Sequence, residues 1–116
     1  YSADIDTWAR HVSPAQAQQH PEPARFPYLG RGFALQSASG AHASALARMH
    51  LFNWGATLSH GALGGDIPGL QIGATRLAEA IVSDLFVQDA DRHWQRLQAH
   101  DEPELLPTRW YVPPGA

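Results

Sequence analysis

Between Leu70 and Leu85 the apolar residues Leu70, Ala74, Leu77, Ala78, Ile81 and Leu85 recur at intervals of three and four, the period of one helix face. This run constrains the fold more than any other feature, because a long helix with an apolar face must lay that face on something. The spacing predicts a helix from Ile67 to about Phe86. Before it stands a Gly-rich turn, Gly61 to Asp66, and before that the stretch MHLFNW, Met49 to Trp54, reads as a buried strand bounded by Gly55. Strand, polar turn, Gly-Asp and helix together have a physical use. A helix N-terminus carries unpaired N–H groups and about half a positive charge, so it favours an electron-rich oxygen placed there. Gly64 and Gly65 let backbone approach a ligand closely, and Asp66 is an acceptor suited to a ribitol or ribose hydroxyl. The plainer role for Asp66 is that of a helix N-cap.

The remaining chain is expected to be short elements and loops. Residues 2 to 12 read as a helix capped by Ser2 or Asp4, with Ile5, Trp8, Ala9 and Val12 on one side. Ser13 to Gly32, with Pro14, Pro21, Pro23 and Pro27, reads as an irregular connection in which Ser13-Pro14 can start one helical turn. A short strand is expected at Phe33 to Gln36, and small helix formers fill Ala41 to Arg48. Asp89 is placed to cap a second helix, Ala90 to about His100, ended by Pro103. The tail Glu104 to Ala116 is expected to be extended and to lie on another surface through Trp110 and Tyr111. Trp8, Trp94 and Trp110 read as packing anchors. The organisation is then 1–32, helix and Pro-rich connection; 33–88, strand, Gly-Asp turn and helix; 89–116, helix and Pro-rich tail.

Composition narrows the chemistry. With no cysteine, disulfides, thiolate metal sites and Cys nucleophiles are excluded, and a reducing, cytoplasmic setting is the expectation. The seven histidines fall at no metal-ligand spacing, so no metal is expected. All eight basic residues are Arg and are outnumbered by eleven acids, with no basic cluster, so nucleic acid is not an expected partner. No apolar stretch approaches the roughly 20 residues of a membrane span. Ser59-His60 is not read as a hydrolytic dyad, because neighbours in an extended segment point to opposite faces. His60 is expected beside a cofactor or on a loop carbonyl. Asn53 is expected either to bond a cofactor or substrate or to close a turn. Arg25, Phe26, Tyr28 and Arg31 are read as packing against a further domain, with a substrate or cofactor entrance as the alternative.

The stretch from Leu51 to Ile81 resembles the C-terminal flavin-binding signature of FAD/NAD(P)-binding oxidoreductases with two dinucleotide-binding domains. Gly65-Asp66 matches the Gly-Asp of that signature, and Ile67 to Val82 matches its helix. Asn53, Gly55, Thr57, Ser59, His60 and Gly61 resemble a segment of flavin N-hydroxylases and related monooxygenases. The resemblance implies an α/β fragment, mostly helical with a few short strands, that completes a Rossmann-like FAD-binding domain. It also implies FAD and NAD(P)H as cofactors, and a cofactor-contacting set of Asn53, Ser59, His60, Gly64, Gly65, Asp66 and Ile67, with no catalytic residue assigned. The function implied is NAD(P)H oxidation through FAD and hydroxylation of a small molecule, in partnership with an upstream Rossmann domain and in a possible homo-oligomer. One departure stands out. The G-x-G-x-x-G fingerprint is absent, since Gly30-Arg31-Gly32 runs on to Leu35 where the last Gly belongs, so the chain is expected to be a fragment that lacks the pyrophosphate cradle. The rival expectation is a non-enzymatic interaction domain that uses the 67–86 helix.

Overall fold

A computed structural model describes residues 2–101, 109, 110 and 112. The chain divides into two compact units, Tyr1–Asp84 and Leu85–Ala116.

In the first unit the predicted long helix is present as α5, Ile67–Gln88, whose last four residues belong to the second unit. The face it lays on its own chain is not the expected one. Gly73 and Ala80 are buried and Leu77 half-buried, whereas Leu70, Ala74, Ala78 and Ile81 are exposed. Small residues decide this. A Cβ on Gly73 would stand 2.6 Å from the Phe52 ring and 2.8 Å from the Leu63 carbonyl, so the helix sits where only glycine lets it come that close.

The expected strands are not formed as strands. Among the described residues pairing is confined to isolated antiparallel bridges: Ile5 with Ser37, Thr7 with Pro27, Leu29 with Leu35, and Ala34 with His50. Phe33 to Gln36 and Met49 to Trp54 each contribute one bridge or two and then turn away. Met49 and Trp54 are 42% and 61% exposed, and Trp54–Ala56 forms a 3-10 turn, so MHLFNW is not a buried strand. Asn53 breaks it by accepting the N–H of Gly55, which starts the turn.

The expected helix over residues 2 to 12 is two 3-10 turns, Ser2–Asp4 and Trp8–Arg10, separated by extended backbone at Ile5 to Thr7. Tertiary hydrogen bonds outcompete helical ones there. Asp6 N–H donates to the Gln36 carbonyl, Trp8 N–H to that of Phe26, and Tyr28 N–H to that of Asp6. The Pro-rich connection is more regular than expected: it holds α1, Pro14–Gln19, and α2, Pro21–Ala24, each with Pro in its first turn. Ser13 caps α1 in a reciprocal capping box with Gln16. The Ala41 to Arg48 stretch forms α3, Ala43–Leu46, and Thr57–His60 forms α4.

The core gathers Leu29, Phe33 and Ala56, with Leu35, Leu51, Phe52, Leu63 and Leu77 packed on it. Phe33 is fully buried and meets Phe52 edge-on at 5.0 Å between centroids. It does so from a left-handed backbone, φ 66°, directly after Gly32 at φ 61°.

In the second unit, α6 spans Ala90–Gln98. Asp89 stands at its N-cap position but does not cap it; the carboxylate pairs with Arg92 instead. The Phe86 and His93 rings stack at 4.8 Å. Trp94 is 58% exposed, and Trp110 is 81% exposed with the Arg109 guanidinium 4.2 Å from its ring centre. Pro103, Tyr111 and most of the tail lie outside the described residues.

Candidate functional site

Four segments meet at the segment singled out in the sequence. Ser59 and His60 lie in the short helix α4, so the argument that extended neighbours diverge does not apply to them, yet their side chains still part company. Ser59 Oγ accepts the Trp8 indole N–H at 3.1 Å and the Leu29 N–H at 3.0 Å, and donates to the Pro27 carbonyl at 3.3 Å. One hydroxyl thus ties the N-terminal segment, the Pro-rich connection and α4, with no hydrogen left to donate. His60 Nε2 lies 2.8 Å from the Gly30 carbonyl, which requires the proton on Nε2, and Arg76 Nη1 lies 3.4 Å from the Nδ1 this leaves as acceptor. Its ring also rests on Phe33.

His50 makes a similar contact two residues further along the same loop. Its Nδ1 lies 2.8 Å from the Gly32 carbonyl, so both glycine carbonyls of Gly30-Arg31-Gly32 are held by imidazoles. Arg31, between them, pairs with Asp84 of α5 at 2.8 Å. A Cβ on Gly32 would collide with that of Ala80, so the core loop and α5 approach closely at this turn. Sequence reasoning weighed these glycines only as an incomplete phosphate fingerprint. The signal that was available was the apposition of Gly32 with Ala80, both small, on elements that have to pack.

The Gly64-Gly65 pair serves close approach within the chain. A Cβ on Gly64 would lie 2.9 Å from the Asn53 nitrogen, and one on Gly65 would lie 3.1 Å from the Trp54 ring. Asn53 Oδ1 is 2.8 Å from the Gly55 nitrogen. Asp66 and Ile67 stand apart from this packing. Ile67 is 89% exposed, Asp66 is exposed, and among the described residues the Asp66 carboxylate takes no hydrogen bond or ion pair. The Asp66 carbonyl accepts the Gly69 N–H at 3.1 Å, and Pro68 has no N–H to offer. The first turn of α5 therefore presents few free donors, and what it offers is the positive end of a 22-residue helix beside one free carboxylate.

Of the loop residues weighed as an entrance, Tyr28 and Arg31 are engaged within the chain. Tyr28 stacks on His11 at 3.7 Å and meets Trp8 edge-on at 4.9 Å, while His11 Nε2 lies 2.7 Å from the buried Asp6 carboxylate. A cleft of about 470 Å³ opens beside Trp8, lined by Val12, Pro23, Ala24 and Leu58 with Gln19 and His20. Asp4, at the other side of the N-terminal segment, accepts from the Ser37 and Ser39 hydroxyls, the Ser39 and His42 N–H groups and the His42 ring. The two serine hydroxyls, aided by the Ser39 N–H and His42, hold its carboxyl well below the usual carboxylate range. Among the described residues no group of three or more His, Asp or Glu is placed to hold a metal, and no helix is long and apolar enough to cross a membrane.

No protein-family model and no solved structure matches the chain. Among curated proteins, the chain is 30% identical over 115 residues to an FAD-dependent urate hydroxylase of Xanthomonas campestris pv. campestris. The alignment takes in 99% of this chain and 24% of that protein, so the chain spans about a quarter of the length of the relative it matches.

Proposed function

We propose that this chain is one part of an FAD-dependent oxidoreductase and helps to close its flavin site. The observation that carries the reading is Asp66 at the start of α5, exposed and without a partner among the described residues, in a chain aligned over 99% of its length with an FAD-dependent hydroxylase. The residues fit the group at that point. A carboxylate accepts from a ribityl or ribose hydroxyl, and the positive end of α5 favours a carbonyl oxygen on which negative charge develops. They fit it less well elsewhere. Ser59 and His60 spend their polar atoms on this chain's own backbone and side chains, and Asn53 spends its Oδ1 on the Gly55 N–H, so they hold the wall in place behind the site. When bound, the flavin would supply the redox chemistry, hydride acceptance from NAD(P)H and electron delivery to oxygen for hydroxylation of a small molecule. The chain's own part is to position Asp66 and the helix end, while the Rossmann fingerprint belongs to another part of the parent protein.

The test is the visible absorption spectrum of the purified full-length protein before and after NADPH in air. Bands near about 370 and 450 nm that bleach and then recover support the reading. A colourless protein that takes up no added FAD rejects it.

A further inference from the structure

The helix α5 carries a second apolar stripe that is left exposed among the described residues. Ile67, Leu70, Ala74, Ala78 and Ile81 follow one another at three and four along the helix and are all exposed. They lie about a quarter-turn from the Gly73, Leu77 and Ala80 face that packs on the core. The charged residues of α5 are placed off the stripe. Arg76 is drawn to His60, Asp84 to Arg31, and Glu79 points away to the side opposite both faces. Between Ile67 and Ile81 both sides are apolar, the charge on the core-facing side coming only at Asp84, where it pairs with Arg31, and this describes a helix that is packed on two sides in its working state.

We infer that the Ile67 to Ile81 stripe is the docking face for an apolar segment of the parent protein's own remaining chain. This rests on one half of the functional reading, that the chain is one part of a longer protein. The relative supplies the argument for that occupant: the region equivalent to this entire chain is continuous there with about three times as much further polypeptide, 24% of the length being matched. The chemistry of the stripe says what the segment is like. Ala74 and Ala78 lie between the larger Leu70 and Ile81, a hollow flanked by two ridges, and it takes one bulky aliphatic or aromatic side chain between the small residues. A charged or strongly polar partner is excluded, since nothing on the stripe would pair with it.

This chain has no cysteine, so single cysteines placed in α5 report accessibility site by site. Ala78→Cys sits on the stripe and Glu79→Cys on the opposite side, and both positions are exposed in this chain, so neither change disturbs its packing. In the full-length protein, peptide mass spectrometry is expected to find Ala78→Cys alkylated at least about tenfold more slowly than Glu79→Cys, because labelling then requires opening of the docked state. Equal rates in the full-length protein overturn the inference. Protection that depends on protein concentration, tracking a dimer in sedimentation, also overturns it in favour of a second copy. The flavin spectrum is read separately: protection in a colourless protein leaves this inference standing and removes the flavin reading alone.

Discussion

Asp4 gathers five neighbouring groups onto one carboxylate, and its lowered pKa makes that a stability statement. The native state then binds fewer protons than the unfolded chain, whose Asp titrates near about 3.9. The contribution is therefore fully present above that value and is lost as pH falls through the lower native pKa. Urea denaturation of the wild type across acidic pH is expected to show this loss, and Asp4→Asn is expected to start less stable at neutral pH and lose less on acidification. Identical acid limbs in the two proteins would rule the linkage out. Phe33 poses a contest between backbone and side chain. Its left-handed φ costs of order 1–3 kcal/mol, while truncating a buried Phe costs about 3–5 kcal/mol. Packing wins, so Phe33→Gly is expected to destabilise the protein in spite of relieving the strain, and thermal unfolding checks the sign.

At the scale of the element, α5 owes its seat to glycine. In an isolated helix Ala is better than Gly by about 1 kcal/mol. At Gly73 the new Cβ meets the Phe52 ring and the Leu63 carbonyl, and forcing them aside costs about 1–3 kcal/mol. Gly73→Ala is accordingly expected to lower the melting temperature, where propensity alone would raise it. The helix was legible from its period, and so was the start of α1 at Ser13-Pro14. What escaped was which face turns inward. Leu70, Ala74, Ala78, Ile81 and Leu85 are the more apolar set, but hydrophobicity ranks faces without knowing what distance the neighbour allows. The break of the 2–12 helix into 3-10 turns at Ser2–Asp4 and Trp8–Arg10 escaped for a related reason: the Asp6 and Trp8 N–H groups are spent on Gln36 and Phe26, partners too far along the chain for any local pattern to reveal.

For the whole molecule, the proposed flavin site makes demands on very few of this chain's side chains. Asp66→Ala removes a carboxylate with no partner among the described residues, so it is expected to leave the stability of the first unit within about 0.5 kcal/mol of wild type. In the full-length protein the same change is expected to weaken FAD retention by about tenfold, the cost of one hydrogen bond to a charged group, about 1.5 kcal/mol. Fluorescence titration of FAD into the two proteins measures it. Ser59→Ala is expected to do the reverse, lowering stability by about 1–3 kcal/mol because the Trp8 and Leu29 N–H groups lose their acceptor.

The sequence by itself determined the long helix, the Gly-Asp at its start, the capping box at Ser13 and the absence of thiol chemistry, because each depends on residues within a few positions of one another or on composition. Tertiary structure alone decided that MHLFNW is not a strand, that Ser59 and His60 face different partners from one short helix, and that α5 rests on its smallest residues. Those outcomes turn on contacts across tens of residues, Ser59 with Trp8 and Leu29, His60 with Gly30, Gly32 with Ala80, where distance and not local preference selects the winner.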